Sequence, residues 1–335
     1  MRWRRYILIL LATAAALCLA LMGFILFSDP YDTGWFAGMG RSGIPAYGQR
    51  MADASRGRDP QFDSAIVGNS TIQIVNPARL DAALPGSFVS LAIPGTGPYE
   101  QLTVLEWFVV HHPGGVRFVI VGIDSRWCDT PTAFGPQGVS YPFPFWLYAG
   151  SRWDYLANVF SYKSLEAGVR RLSVLSKPDR LARADGFNDY ELGKQYDPNS
   201  ARRLMELGGN EGDQAAETGS AAMNAAAPGT DVGPQFTRLG AILRSLPGTV
   251  TVVLVFPPRE ADALPAAGSN GTAAIAACKN AAHELAGADA RVRVVDFLID
   301  DSIARDPNNF WDSLHYRGAI ARQIEDRIVA AAEGR

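Results

Sequence analysis

The chain has 335 residues, 47% hydrophobic and 19% charged, with 31 Lys+Arg against 34 Asp+Glu for a net charge of −3. That composition supplies a sizeable core and excludes a wholly disordered chain, and the near-neutral balance gives a nucleic-acid partner no electrostatic support. At about 150 residues per domain the length suggests roughly two units, while three cysteines without a CxxC pair exclude a disulfide-rich scaffold and a zinc-finger site.

Residues 6–27 carry no charge, and Arg2, Arg4 and Arg5 precede them, with Asp29 and Asp32 following. At about 1.5 Å per residue the run crosses a bilayer core of about 30 Å. The flanking charges put the N-terminus in the cytoplasm and the body outside it. The run exceeds the apolar core of about 7–15 residues of a cleaved signal peptide, so an anchor is preferred. Leu17, not a small residue, stands before Cys18, which argues against a lipoprotein. In an exported body Cys128 and Cys278 meet an oxidising environment; they can pair or act as two small buried apolar residues, and the second reading is preferred.

Residues 29–61 are rich in Gly, Pro and Asp and read as an exposed connector. Short apolar segments follow at Phe62–Gly68, Ser87–Ile93, Val116–Ile123, Thr249–Phe256 and Arg291–Phe297, read as five strands. Helical patterns fall at Tyr99–His111, Phe236–Leu246, Thr272–Ala286 and Tyr316–Ala332, the last with Ile320, Ile324 and Ile328 on one stripe. Strands alternating with helices predict a three-layer, doubly wound, five-stranded parallel sheet over 62–335. A large insertion is expected after strand three, about 130–235. It contains an aromatic part, a helical pattern at Lys163–Ala184, and a Gly/Ala/Asp/Asn-rich stretch at 208–233 expected to be mobile.

In such a sheet ligands bind beyond the carboxyl ends of the strands. Strand one runs into Gly68-Asn69-Ser70, where a serine at the start of a helix presents its hydroxyl and N–H together; an ordinary N-cap serine has the same look. Strand two ends in Ile93-Pro94-Gly95-Thr96-Gly97, a turn or an approach of backbone N–H groups to a ligand. After strand five come Asp312 and His315, three apart. The carboxylate can fix the imidazole tautomer, and the other ring nitrogen can take a proton from Ser70. His111, His112 and His283 lie in helical segments and compete poorly, and no ligand spacing for a metal or other cofactor stands out.

This ordered set resembles the SGNH (GDSL-type) hydrolase superfamily. Gly68-Asn69-Ser70 matches its first block with Asn for Asp, Gly95 its second-block glycine, and Asp312 with His315 its final D-x-x-H. The resemblance implies a flavodoxin-like sheet order, Ser70 as nucleophile, His315 as general base and Asp312 as its orienting partner. It implies an oxyanion hole from the N–H groups of Ser70 and Gly95, with Gly97 as a neighbouring alternative. The family's third donor, an asparagine after strand three, is here Asp124; an ionised carboxylate does not donate, and Arg126 and Trp127 are the nearby substitutes. With an anchor helix, the chain is similar to bacterial envelope proteins of O-acetylation and D-alanylation. The resemblance implies a single-pass protein of the inner membrane, its body in the periplasm. It would act there as a serine esterase or O-acyltransferase on an envelope or exported polysaccharide. The alternative is a non-catalytic binding or assembly protein that partners a membrane-bound acyltransferase. Trp146, Tyr148, Trp153 and Tyr155 are either a sugar-stacking wall or, preferred, an apolar cover.

Overall fold

The computed structural model describes residues 2–36, 48–128, 134–136, 139, 141–175, 183–206 and 233–335. Of the stretch expected to be mobile, 208–233, all but Gly233 lies outside the described residues. The chain forms two compact units, one of residues 1–55 with 144–184 and one of 56–143 with 185–335.

The first unit is built on helix α1 (Arg2–Ser28), long and apolar enough to cross a membrane, with an 18-residue window of mean hydropathy 2.6. Its last turns are not left bare. Helix α6 (Tyr162–Leu175) crosses α1 at Gly168, where a Cβ would come within 2.5 Å of Ser28 Oγ and 3.2 Å of Phe24. One turn on, Arg171 is 1% exposed and pairs with Asp32 at 2.6 Å and Asp29 at 3.6 Å. It also donates to the carbonyls of Ser28 and Asp29. The Asp29 carboxylate accepts from Thr33 N–H, Thr33 Oγ1 and Gly34 N–H at 2.7–2.8 Å, and Ser55, in helix α2 (Gln49–Arg56), donates to Asp32 at 2.6 Å. Residues 29–33, expected in an exposed connector, are therefore buried. Their aspartates look like turn formers in sequence, but they neutralise a buried guanidinium that stands more than a hundred residues away. Helix α5 (Arg152–Val159) completes the unit, capped by Ser151.

The second unit holds strands β1 (Ser64–Gly68), β2 (Phe88–Ala92), β3 (Phe118–Gly122), β4 (Thr251–Phe256) and β5 (Val292–Asp296). They form one all-parallel sheet in the order β2-β1-β3-β4-β5. The helices are α3 (Pro77–Ala83), α4 (Pro98–His111), α7 (Pro198–Glu206), α8 (Gly233–Ser245), α9 (Asn270–Ala288) and α10 (Gly318–Ala332). Side chains alternate across a strand, so Ile66, Phe88, Ile120, Val253, Val255 and Val295 share one face; they cluster with Leu80 of α3 and the Ile320/Ile324/Ile328 stripe of α10. The intervening Ala65, Val67, Val89, Leu91, Val119, Val121, Val252 and Leu254 are equally buried on the opposite side. There α4 packs on β1 and α8, while α9 packs on β5 and α8. Burial on both faces is why the strands read as apolar runs rather than alternations. At the β2 edge the Ser90 N–H donates to the Asp185 carbonyl at 2.7 Å, so part of that rim is covered by the chain from 185 onward.

Cys128, just after β3, is bonded to Cys278 of α9, with Cα atoms 5.0 Å apart. The preferred reading of two unlinked thiols therefore gives way to a cross-link.

Candidate active-site cleft

The sheet order reverses at β1, with β2 on one side and β3 on the other, and the crevice of a doubly wound sheet opens at such a point. A narrow cleft of about 30 Å³ lies there. Ser70 and Thr71 after β1, Gly95 after β2, Asp124 and Arg126 after β3, Arg259 after β4 and Leu314 near the C-terminal block line it.

Ser70 does not open an α-helix. Residues 69–75 form consecutive turns, with Ile72, Gln73 and Val75 N–H each bonding three residues back, and α3 starts only at Pro77. The turns fold Ile72 over the strand ends. A Cβ at Gly68 (φ 158°) would meet Ile72 Cγ2 at 2.6 Å, and one at Gly122 would meet Ile72 Cβ at 2.9 Å. The two glycines let β1, β3 and the Ser70 turn close on one another. Gly95 takes φ 71°, a left-handed value that glycine tolerates without strain. Among the described residues, neither the Ser70 N–H nor the Gly95 N–H has a hydrogen-bond acceptor, and both residues line the cleft. Two such donors are what a developing oxyanion needs. Gly97 differs: it is the N-cap of α4, and its N–H donates to Glu100 Oε2 at 3.1 Å.

Asp312 is 6% exposed and holds His315 in place from two directions. Its carboxylate lies 2.7 Å from His315 Nδ1 and accepts the N–H groups of Leu314 and His315 at 2.8 Å. Burial alone would raise its pKa, but the His315 contact and these N–H groups outweigh it and the carboxyl stays below the usual carboxylate range. An ionised Asp312 on Nδ1 leaves Nε2 as the proton-accepting nitrogen. A Phe310–Tyr316 bridge closes the loop carrying the pair. Among the described residues no hydrogen bond joins the Ser70 hydroxyl to the imidazole; Leu314, beside His315, reaches the cleft that Ser70 lines. Catalytic contacts of this kind are often long until substrate is bound.

Asp124 is 9% exposed, and Asn69 Nδ2 donates to its Oδ2. The same amide donates to the Thr96 carbonyl, and Asn69 Oδ1 accepts from Thr71, so Asn69 ties together the loops after β1, β2 and β3. Burial pushes the Asp124 carboxyl up, against the pull of Arg126, Asn69 and Arg259. Arg126 Nη1 donates to the Gly95 carbonyl at 2.9 Å and so fixes the Gly95 backbone. Trp127, considered as a substitute donor, is fully buried, and its Nε1 donates to Gln101 at 2.7 Å.

The other histidines do not line the cleft. The His111 ring bonds the Trp107 carbonyl, His112 is buried between the carbonyls of Phe108 and Asp59, and His283 is exposed on α9. No group of metal-ligating side chains occurs among the described residues. Of the aromatic wall, Tyr148 and Tyr155 are buried, Trp146 is half-buried against Tyr31 and Tyr155, and only Trp153 is exposed; all four belong to the unit that contains α1, not to the unit with the cleft.

Three contributors were not anticipated from the sequence. Arg259 follows β4 through Pro257-Pro258, and the rule that chemistry sits just past the strand ends points to it. Tyr190 sets its ring edge-on to His315 at 5.4 Å and donates to the Tyr316 carbonyl at 2.5 Å. Glu191 accepts from Trp311 Nε1 at 2.7 Å and from Gly318 N–H at 2.8 Å, which pins the block around His315 to the start of α10. Nothing in the local pattern of Asp-Gly-Phe-Asn-Asp-Tyr-Glu announces the last two. Neither a protein-family model nor a curated protein sequence matches this chain.

Proposed function

We propose that this protein is a membrane-anchored, extracytoplasmic serine esterase or O-acyltransferase of SGNH type. In this reading Ser70 attacks an acyl carbonyl, His315 takes its proton, and Asp312 keeps the imidazole in the working tautomer. The N–H groups of Ser70 and Gly95 receive the oxyanion, Arg126 holds the Gly95 backbone, and the acyl-enzyme passes its group to water or to a glycan hydroxyl. The observation that carries the reading is the cleft itself, where a serine with two unengaged N–H donors lies beside a block whose histidine is held by a buried, ionised aspartate. The cleft is far smaller than the few hundred Å³ of sites for larger ligands, which favours a short acyl group over a fatty chain.

The inner-membrane, periplasm-facing placement rests on Arg2, Arg4 and Arg5 before α1 and on the Cys128–Cys278 bond, since disulfides persist outside the reducing cytosol. A polysaccharide acceptor and a membrane-bound acyltransferase as acyl donor follow from the family resemblance. The missing Ser70–His315 hydrogen bond favours a second reading, a non-catalytic binding or assembly protein on the same fold. A fluorophosphonate probe separates the two. Labelling at Ser70 that disappears in Ser70→Ala, with hydrolysis of an activated acetyl ester, supports the enzyme. A folded protein that resists the probe and leaves the ester intact refutes it.

A further inference from the structure

Between residues 185 and 191 the chain runs from the β2 edge to the block around His315 and takes hold of the Ser70 turn on the way. It starts flat against β2: the Asp185 carbonyl accepts the Ser90 N–H at 2.7 Å, and a Cβ at Gly186 (φ 71°) would collide with the Ser90 carbonyl oxygen. The Asn188 carbonyl then accepts from Gln73 Nε2 at 2.9 Å. Gln73 is 4% exposed, and its own N–H bonds the Ser70 carbonyl, so this contact reaches the turn that carries the proposed nucleophile. Two residues on, Tyr190 packs on the core cluster that includes the α10 isoleucines. Its ring lies 5.4 Å from that of His315 with the planes 74° apart, and its hydroxyl donates to the carbonyl of the next residue, Tyr316. Glu191 ends the run on Trp311 Nε1 and the Gly318 N–H, which stand on either side of Asp312 and His315 in the chain. Asp185 and Asp189 each accept the N–H two residues on, which stiffens both ends of the segment.

A carboxylate at one ring nitrogen fixes the tautomer of an imidazole but permits rocking about that bond. A second contact on the ring itself removes the rocking, and Tyr190 supplies it. Gln73 and Tyr190 hold the same short piece of chain, so a shift of the Ser70 turn is passed to the imidazole. The direct bond between α3 and α10, from Asn76 N–H to Glu325 at 2.7 Å, lies about two turns further along α10 and does not restrain the block in this way.

We infer that residues 185–191 are a positioning brace that keeps the Ser70 turn and the His315 imidazole in register, with Gln73 and Tyr190 as its two grips. The inference rests on the esterase reading and deepens it. Neither grip touches the reacting atoms; each acts through the residue it holds.

The test uses the full chain in detergent, as wild type, Tyr190→Leu, Tyr190→Phe, Gln73→Met and the double variant Gln73→Met with Tyr190→Leu. A displacement of about 1 Å between reacting groups costs about 100-fold, so Tyr190→Leu should slow fluorophosphonate labelling and the kcat for an activated acetyl ester by about that factor, with KM little changed. Tyr190→Phe keeps the ring on His315 and loses one hydrogen bond, so it should stay within about tenfold of wild type. Gln73→Met, nearly isosteric and remote from His315, should slow labelling too, and the double variant should be no slower than Tyr190→Leu. Hydrogen exchange reads the brace without turnover. Gln73→Met should speed exchange at the Trp311 and Arg317 N–H groups, and Tyr190→Leu at those of Ile72 and Val75, all of which are hydrogen-bonded in wild type. Exchange that changes only beside the substituted residue overturns the inference, as do rate losses that multiply in the double variant or a Tyr190→Phe as slow as Tyr190→Leu. If wild type neither labels nor hydrolyses, the esterase reading fails and the brace loses its catalytic purpose, while exchange transmitted between the two blocks would still uphold their coupling.

Discussion

Replacing Cys128 and Cys278 together by alanine removes the only cross-link seen among the described residues and leaves no lone buried thiol. The bond closes a loop of 150 residues. In the chain-entropy account that restricts the unfolded ensemble by about 17 cal/mol/K, or about 5 kcal/mol at 25 °C. Both sulfurs are buried, Cys278 completely. For a chain this size each kcal/mol moves the midpoint by about 2–4 °C, so the double variant should melt about 10–20 °C lower. Thermal unfolding of the full chain in detergent, followed by circular dichroism, measures the shift. A thiol count on unreduced, denatured wild type provides the control, which should find Cys18 alone. The turn from Asp124 to Trp127 ends at Cys128, whose Sγ lies 3.7 Å from the Asp124 carbonyl, so ester turnover should fall below the melting temperature as well. Three thiols in the wild type, or a midpoint unchanged by the substitutions, would refute the reasoning.

Asp312→Asn should lower ester turnover by about three to four orders of magnitude with the fold retained, because the imidazole loses its tautomer restraint; circular dichroism beside the activity assay checks both. The lowered Asp312 pKa also makes a stability prediction. Its contribution is complete above the unfolded value of about 3.9 and is lost as pH falls through the lower folded value, so the melting-temperature gap between wild type and Asp312→Asn should close in acid. Arg171→Ala strands two buried aspartates and should cost about 3–5 kcal/mol in the unit that contains α1; limited proteolysis between residues 29 and 36 would detect it. Gly68→Ala forces a methyl against Ile72 and should cost about 1–3 kcal/mol, and Ile72→Ala in the same chain should recover part of the loss, a coupling that a double-mutant cycle reads directly.

The sheet was legible because both its faces are covered. Strands such as Phe-Val-Ile-Val-Gly at β3 and Thr-Val-Val-Leu-Val-Phe at β4 carry no polar residue after their first positions, and their order in the chain already implies parallel crossovers. The Asp312–His315 pair was legible because it is local, three residues apart on one turn. What stayed hidden depends on distance in sequence. Arg171 answers to Asp29 and Asp32 across about 140 residues, and Tyr190 and Glu191 brace a block more than a hundred residues downstream. The start of α3 was misplaced: its N-cap is Asn76, followed by proline at the first helical position, several residues after Ser70. Ser70 misled: a glycine turn before it suggested a helix start, but Ile72 packing over two glycines holds the chain in tight turns instead.

The ion pairs at the foot of α1 bear on what a cut between this helix and the rest of its unit would do. Proteases cut most readily at exposed, loosely held backbone. Just past Ser28 the chain bends through Asp29 and Asp32, both with positive φ, and is gripped by Arg171. Cutting there would remove the half of the helix crossing that covers Gly168 and would unseat the partners of a charge sealed from water. Scission there should therefore yield a damaged unit, and α1 behaves as a structural member of that unit more than as a disposable leader.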